Sequence, residues 1–241
     1  MNKWQIGCSG FYYNHWKGLF YPENLPKSKW FDFYKERFST LELNVSFYRY
    51  PSLSTFQNWY KKTPDNFTFS VKVPRGITHY KQFHDTAEIM AGYYETIREG
   101  LQDKLGCILF QLPPRATYTE ERLERILETI DNSFNNVLEF RHESWWNAEV
   151  YKTLSKNKIS FCGMSHPSLP QEVIQNAPIV YYRFHGVPEL YKSKYDKAIL
   201  ENVADEINND KKTKKAFIYF NNDIGGSAII NATELKETVL R

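Results

Sequence analysis

The feature that most constrains the fold of this 241-residue chain is an alternation of short strand-like runs with longer, mostly helical stretches. Eight runs are rich in Val, Ile, Phe and Tyr, residues that favour strands. They cover residues 4–8, 40–45, 67–73, 106–112, 137–141, 159–163, 179–184 and 216–220. Strand–helix units in series imply parallel strands joined by right-handed crossovers. Eight units predict an α/β fold, a (βα)8 TIM-like barrel, as a single domain over residues 1–241.

Six of the intervening stretches, and the segment after the last strand, carry apolar residues three or four positions apart, which is the period of a helix. One of them, around Val150 and Leu154, follows Asn147, which we expect to cap its N-terminus. The prolines of the stretch 164–178 leave room for a short helix at most. An open doubly wound sheet is the alternative. No G-x-G-x-x-G sequence follows the first strand, so the dinucleotide-binding form of that sheet is disfavoured.

Composition and charge exclude several classes of protein. The chain is 41% hydrophobic and 17% aromatic, unlike a disordered protein. No apolar run reaches the ~18 residues that span a membrane, so no membrane partner is expected. A net charge of +3 is too balanced to indicate nucleic acid by itself. Cys8, Cys107 and Cys162 lie in apolar runs without metal-ligand spacing, which predicts buried free thiols and a cytoplasmic protein.

Polar residues stand at the carboxyl ends of most predicted strands, which form the active-site face of such a barrel. Side chains alternate along a strand, so residues two apart share a face. The set facing this mouth is Glu42, Asn44, Lys72, Gln111, Glu139, Arg141, Arg183, His185, Asn221 and Asn222. Unpartnered buried charge is costly, so the set indicates a ligand site. The structural alternative is a group of core ion pairs, such as Glu139 with Arg141.

The charges of this set favour an anion. Three cations oppose two carboxylates, an excess of one positive charge with His185 neutral. Arginine forks suit phosphate or carboxylate. Glycines 225 and 226, before the last helix, would offer backbone N–H groups to the same ligand, or form an ordinary turn. Only Glu42, Glu139 and His185 are evident inward metal ligands, so neither a metal nor another cofactor is predicted. His79, in the loop after the third strand, could also reach the mouth.

Motifs along nearly the whole chain carry a family resemblance. They lie at 7–10, 42–48, 69–75, 110–114, 139–145, 183–186 and 220–223. Together they resemble the YecE-like family, the domain of unknown function 72. The resemblance implies a TIM-barrel-like fold and no particular reaction. Cys8 stands where Thr is common in that family, and the end of the sixth strand lacks the Asp of many members, leaving His166 there.

The residues point first to a metal-independent enzyme, a hydrolase, isomerase or lyase, acting on a small anionic or sugar-like substrate. Glu42, Glu139 and His185 would carry acid–base chemistry, Glu139 being the preferred base. Binding is assigned to the remaining residues: Asn44, Lys72, Gln111, Arg141, Trp145, Arg183, Asn221 and Asn222.

Three alternatives are carried with this hypothesis. The first is nucleic-acid binding or phosphodiester hydrolysis, in which Tyr48, Trp145 and Trp146 would stack on bases. The second is a glycosidase that uses Glu42 and Glu139 as its carboxylate pair. The third is a binding module without catalysis. The sequence gives no oligomeric state.

Overall fold

The computed structural model describes residues 3–48 and 50–240, and these residues form eight parallel strands. The strands are β1 (Trp4–Cys8), β2 (Thr40–Leu43), β3 (Thr68–Lys72), β4 (Leu105–Gln111), β5 (Asn136–Glu139), β6 (Ser160–Ser165), β7 (Ile179–Phe184) and β8 (Lys215–Phe220). Their order in the sheet is β1-β8-β7-β6-β5-β4-β3-β2. A parallel bridge between Ser9, just after β1, and Glu42 of β2 joins the two ends of this order. The chain has the predicted (βα)8, TIM-like barrel fold.

The predicted strand boundaries hold at β1 and β7 and shift by a few residues elsewhere. Two shifts leave a candidate site residue, Asn44 or Arg141, outside its predicted strand. Val45 was expected in the second strand, but it begins a one-turn helix. Arg141 was expected in the fifth strand, but it follows the end of β5 by two residues. A buried strand and the turn that follows it can share one apolar run, so hydrophobicity alone does not mark the boundary.

Eight α-helices occur in the described residues. They are α1 (Trp30–Lys35), α2 (Val45–Tyr48), α3 (Leu53–Lys62), α4 (Ala87–Leu101), α5 (Glu120–Thr129), α6 (Ala148–Lys156), α7 (Lys197–Asn209) and α8 (Ser227–Val239). Asn147 caps α6 as predicted, since its side chain accepts a hydrogen bond from the Val150 amide at 3.0 Å. The residues from 166 to 178, rich in proline, contain no helix.

The chain divides into two compact units, Met1–Glu42 with Cys162–Arg241, and Leu43–Phe161. In the first unit, the rings of Phe184 and Phe220 stack at 4.6 Å between β7 and β8. In the second, α3 packs on α4, where Gly100 faces Phe56 without room for a larger side chain. That the chain forms a single domain over residues 1–241 stays a prediction. The two end residues of that range, 1 and 241, lie outside the described residues.

The cysteines behave as the sequence predicts, because Cys8, Cys107 and Cys162 are all buried and free of disulfides. Burial raises the pKa of the Cys8 thiol well above its ordinary value, which keeps it protonated. No helix among residues 3–48 and 50–240 has the length and apolar character needed to cross a membrane.

Candidate functional site

The unit Leu43–Phe161 holds a cluster of charged side chains at the carboxyl ends of β3, β4 and β5. Glu139, the last residue of β5, is fully buried, and Arg141 donates to its Oε1 atom through Nε. The register of the sheet pairs Gln111 with Glu139 on the neighbouring strand. The strand ends therefore bring together the polar residues that the alternation pattern predicted there.

Lys72 ends β3 and is also buried. Its ammonium group donates a hydrogen bond to Gln111 Oε1 at 2.5 Å and lies 4.1 Å from the centroid of the Phe47 ring. The ring face stabilises the cation electrostatically and excludes water from one side. Lys72 is thus held as a positioned cation rather than as a mobile surface lysine.

A strained loop follows β3 and carries a histidine toward this cluster. Residues Gly76–Lys81 form a π-helix, a rare conformation that often marks functional sites. Gln82, Phe83 and Asp85 follow it with positive φ angles, which are costly for residues other than glycine. Within the π-helix, the His79 ring packs edge-on against Phe47 at 4.9 Å.

His79 is held as a neutral imidazole. Partial burial, followed by the positive charges of Lys72, Arg115 and Arg141, lowers its pKa from 6.5 to about 4, while the charge of Glu139 opposes this shift. The Thr78 hydroxyl lies 2.9 Å from His79 Nδ1. At neutral pH the ring is therefore uncharged, and the surrounding positive charge makes it a weaker base than an ordinary histidine as long as no anion offsets that charge.

Two other predicted binding residues of this unit are placed differently. Trp145 is fully buried, stacks on Phe140 at 4.0 Å and donates its indole N–H to the Ala116 carbonyl at 2.7 Å. These contacts give it a packing role. Asn44 is half-buried, and its Oδ1 atom is buried without a hydrogen-bond partner among the described residues.

The unit formed by the two ends of the chain holds a second polar cluster, centred on the fully buried Glu42. Its carboxylate accepts hydrogen bonds of 2.6 Å from three donors. These are the Ser9 hydroxyl, the Tyr181 hydroxyl and the Arg183 guanidinium. Burial, followed by the Glu42 charge, raises the pKa of Tyr181 well above its ordinary value, so its hydroxyl stays a donor.

His185 and Asn221 also meet in this unit. The side-chain amide nitrogen of Asn221 lies 3.1 Å from Nδ1 of the fully buried His185, within hydrogen-bond distance. Asn222 is engaged elsewhere: its amide nitrogen donates to the Ser193 carbonyl at 2.9 Å and to Asn231 Oδ1 at 3.1 Å. Asn221 and Asn222 follow the end of β8 and have different hydrogen-bond partners.

The predicted site residues thus fall into two groups, each within its own unit. One comprises Lys72, Gln111, Glu139 and Arg141, and the other comprises Glu42, Arg183, His185 and Asn221. That they form one site stays a prediction. In residues 3–48 and 50–240, no three His, Cys, Asp or Glu side chains are grouped as metal ligands.

Three residues were not among the predicted site residues. Ser9 and Tyr181 had detectable signals, since Ser9 follows β1 directly and Tyr181 shares the parity of Arg183 on β7. For His79 the signal was its place in the loop after the third strand, but its position beside Phe47 depends on a π-helix that no periodic pattern encodes.

Comparison with known proteins agrees with this structure. The model of the family described as "Protein of unknown function DUF72" matches residues 5–241. The UPF0759 protein YunF of Bacillus subtilis is 27% identical, over 90% of this chain and 89% of its own length. The UPF0759 protein YecE of Escherichia coli O157:H7 is 24% identical over 64% of this chain and 54% of its own length.

Solved structures show the same fold. A DUF72 family protein from Thermotoga maritima MSB8 superposes with a TM-score of 0.90 at 29% identity, covering all of both chains. A DUF72 family protein from Enterococcus faecalis V583 has a TM-score of 0.84 at 19% identity, covering 99% of this chain and 96% of its own. The family model matches almost the full length of this chain. The chain therefore belongs to the DUF72 family.

Proposed function

We propose that this protein is an enzyme that performs acid–base chemistry on a small anionic substrate, bound at the cluster of Lys72, Arg141 and His79. The substrate's phosphate or carboxylate group would be held by the two cations. His79 would accept a proton from the substrate. This role for His79 adds to the candidates that the sequence offered.

The observation that carries the proposal is the positive field around His79. The charges of Lys72, Arg115 and Arg141 all act against its protonation, and the charge of Glu139 favours it. An anion that binds beside the cations would compensate this field and raise the basicity of the ring. Binding of the substrate and activation of the base would then be coupled through electrostatics.

The other groups have supporting roles in this proposal. Glu139 fixes the guanidinium of Arg141, and Gln111 fixes the ammonium of Lys72. Preorganised charges stabilise the developing charge of a transition state without reorganisation during the reaction. The charge that holds the substrate comes from protein cations, so the proposal names no metal or other cofactor. A role for His185 in proton transfer stays a prediction.

The glycosidase alternative gains no support from the two carboxylates. Glu42 is buried and accepts three hydrogen bonds, one of them from Arg183. Glu139 is buried and paired with Arg141. A general acid has to release a proton to the substrate, and an ion-paired carboxylate has none to give. The free thiols of the three cysteines support a cytoplasmic location as part of the proposal.

Calorimetric titration with glycerol 3-phosphate tests the binding step. We expect Lys72→Met and Arg141→Met each to weaken binding by about 1.5–3 kcal/mol, the usual value of a hydrogen bond to a charged group. Lys61→Met, which removes an exposed lysine from the same unit, is the matched control and should bind like the wild type. Equal binding by all four proteins would overturn the proposal.

A further inference from the structure

Two exposed tyrosines and an arginine form a surface cluster beside the proposed site. Tyr48 is 70% exposed and Tyr80 is 67% exposed, the highest values among the large hydrophobic side chains of the described residues. The guanidinium carbon of Arg75 lies 5.4 Å from each of the two ring centroids. We name Tyr48, Arg75 and Tyr80 the aromatic rim.

Stability of the fold does not account for the aromatic rim. A side chain that keeps two thirds of its surface in water gains little hydrophobic free energy. Single exposed aromatic residues are ordinary, but two that lie against one guanidinium form a local aromatic and cationic surface. Such a surface indicates a binding role.

The aromatic rim adjoins the charged cluster through Phe47. The Phe47 and Tyr48 rings meet edge to face at 5.1 Å, and the Lys72 ammonium lies 4.1 Å from the centroid of the same Phe47 ring. Tyr80 follows His79 directly in the π-helix. A ligand whose anionic group is bound by Lys72 would therefore reach the aromatic rim with the next part of its structure.

The chemistry of the aromatic rim selects a planar ring. Tyrosine faces stack on nucleobases, and an arginine plane adds a cation–π contribution. Proteins that bind nucleotide units combine such stacking surfaces with cations for the phosphate. The aromatic rim and Lys72 provide these two parts next to each other, within one unit of the protein.

We propose that the aromatic rim stacks on a nucleobase, and that the anionic ligand of this protein is a nucleotide unit whose phosphate lies at Lys72 and Arg141. This inference rests on the proposed function and narrows its substrate class. A free nucleoside monophosphate and a unit of a single-stranded nucleic acid share this chemistry. The near-neutral charge of the chain, +3, gives no preference for a long polyanion.

Calorimetric titration of the wild type with adenosine 5′-monophosphate, ribose 5-phosphate and a short oligodeoxyadenylate tests the inference. Stacking predicts that the monophosphate binds about 5- to 100-fold more tightly than ribose 5-phosphate. The double variant Tyr48→Ala/Tyr80→Ala should lose this advantage and keep its affinity for ribose 5-phosphate. The variant Tyr48→Phe/Tyr80→Phe should retain the advantage, because phenylalanine also stacks.

A matched control and the salt dependence complete the design. Tyr12→Ala removes an exposed tyrosine that also lies near a cation, Lys27, and it should change no affinity. If the oligonucleotide binds more tightly than the monophosphate, and its affinity falls steeply with salt, the source is a nucleic-acid strand. If the oligonucleotide binds no more tightly than the monophosphate, the ligand is a free nucleotide. Either result supports stacking on a base.

Two outcomes would overturn the inference, and they differ in whether the proposed anion site survives. Equal affinities for the monophosphate and ribose 5-phosphate, both weakened by Lys72→Met, would remove the stacking role and leave the proposed anion site intact. If neither adenosine 5′-monophosphate nor ribose 5-phosphate binds, both the stacking role of the aromatic rim and the proposed function are contradicted.

Discussion

The guanidinium of Arg183 donates a hydrogen bond of 2.6 Å to the carboxylate of Glu42, and both side chains are almost completely buried. The Ser9 and Tyr181 hydroxyls donate to the same carboxylate. A buried ion pair compensates its desolvation cost only when further hydrogen bonds satisfy its remaining atoms. Three donors therefore hold the Glu42 carboxylate within its unit, and a role of Glu42 or Arg183 at a ligand site stays a prediction.

We predict that Arg183→Met destabilises the protein by about 3–5 kcal/mol, because it leaves the Glu42 carboxylate buried without its counter-charge. The double variant Glu42→Gln/Arg183→Met should be more stable than Arg183→Met, since no charge is then left unpaired. Urea denaturation of the three proteins measures the differences. A cost below about 1 kcal/mol for Arg183→Met, typical of exposed pairs, would contradict the buried pairing.

Two substitutions around His79 should move its pKa in opposite directions. Lys72→Met removes a positive charge and should raise the pKa above about 4, whereas Glu139→Gln removes the opposing negative charge and should lower it. Chemical shifts of the imidazole in NMR titrations report both values. Shifts of the same sign in the two variants would show that changes of packing, rather than charge, control the ring.

His79 also makes stability depend on pH. Its pKa is about 4 in the folded protein and near 6.5 when unfolded, so the unfolded chain binds more protons between these values. The stabilisation is present above pH 6.5 and is lost as the pH falls toward 4. We expect the wild type to lose more stability over this range than His79→Gln in urea denaturation at several pH values. Parallel curves would contradict the lowered pKa.

Two glycines of α4 should respond oppositely to alanine. A Cβ atom at Gly100 would overlap the side chain of Phe56 on α3, so Gly100→Ala should destabilise by about 1–3 kcal/mol. Gly92 has open space around it, so Gly92→Ala should stabilise by about 0.5–1 kcal/mol through helix propensity. Thermal or urea denaturation of both variants checks the close packing of α3 on α4, and similar effects at both positions would contradict it.

The sequence carries the fold because strands and helices have different periods, and each period is a local pattern. The runs that predicted β1 and β7 match their observed bounds, and the Asn147 cap is formed as expected. Parity along the strands also predicted which polar residues stand together, as Glu139 and Arg141 do. The ends of the strands were predicted less accurately. Arg141 was expected in the fifth strand, but it lies beyond the end of β5 in the same apolar run.

The rest of the candidate site depends on contacts that no local pattern encodes. His79 reaches Phe47 through a π-helix and the positive φ angles that follow it. Parity also cannot tell a buried packing residue from a ligand-binding one. Trp145 was expected at the site, but it packs on Phe140 in the core. Burial and hydrogen-bond partners, which require coordinates, make that distinction.

The pKa of His79 with and without bound phosphate tests the proposed site most directly. NMR titration of the imidazole in wild-type protein should give a pKa of about 4 without ligand. Saturating inorganic phosphate should raise this pKa, because the bound anion compensates the charges of Lys72 and Arg141. A pKa near 6.5 without ligand, or one that phosphate leaves unchanged, would contradict the proposal that an anion binds beside this base.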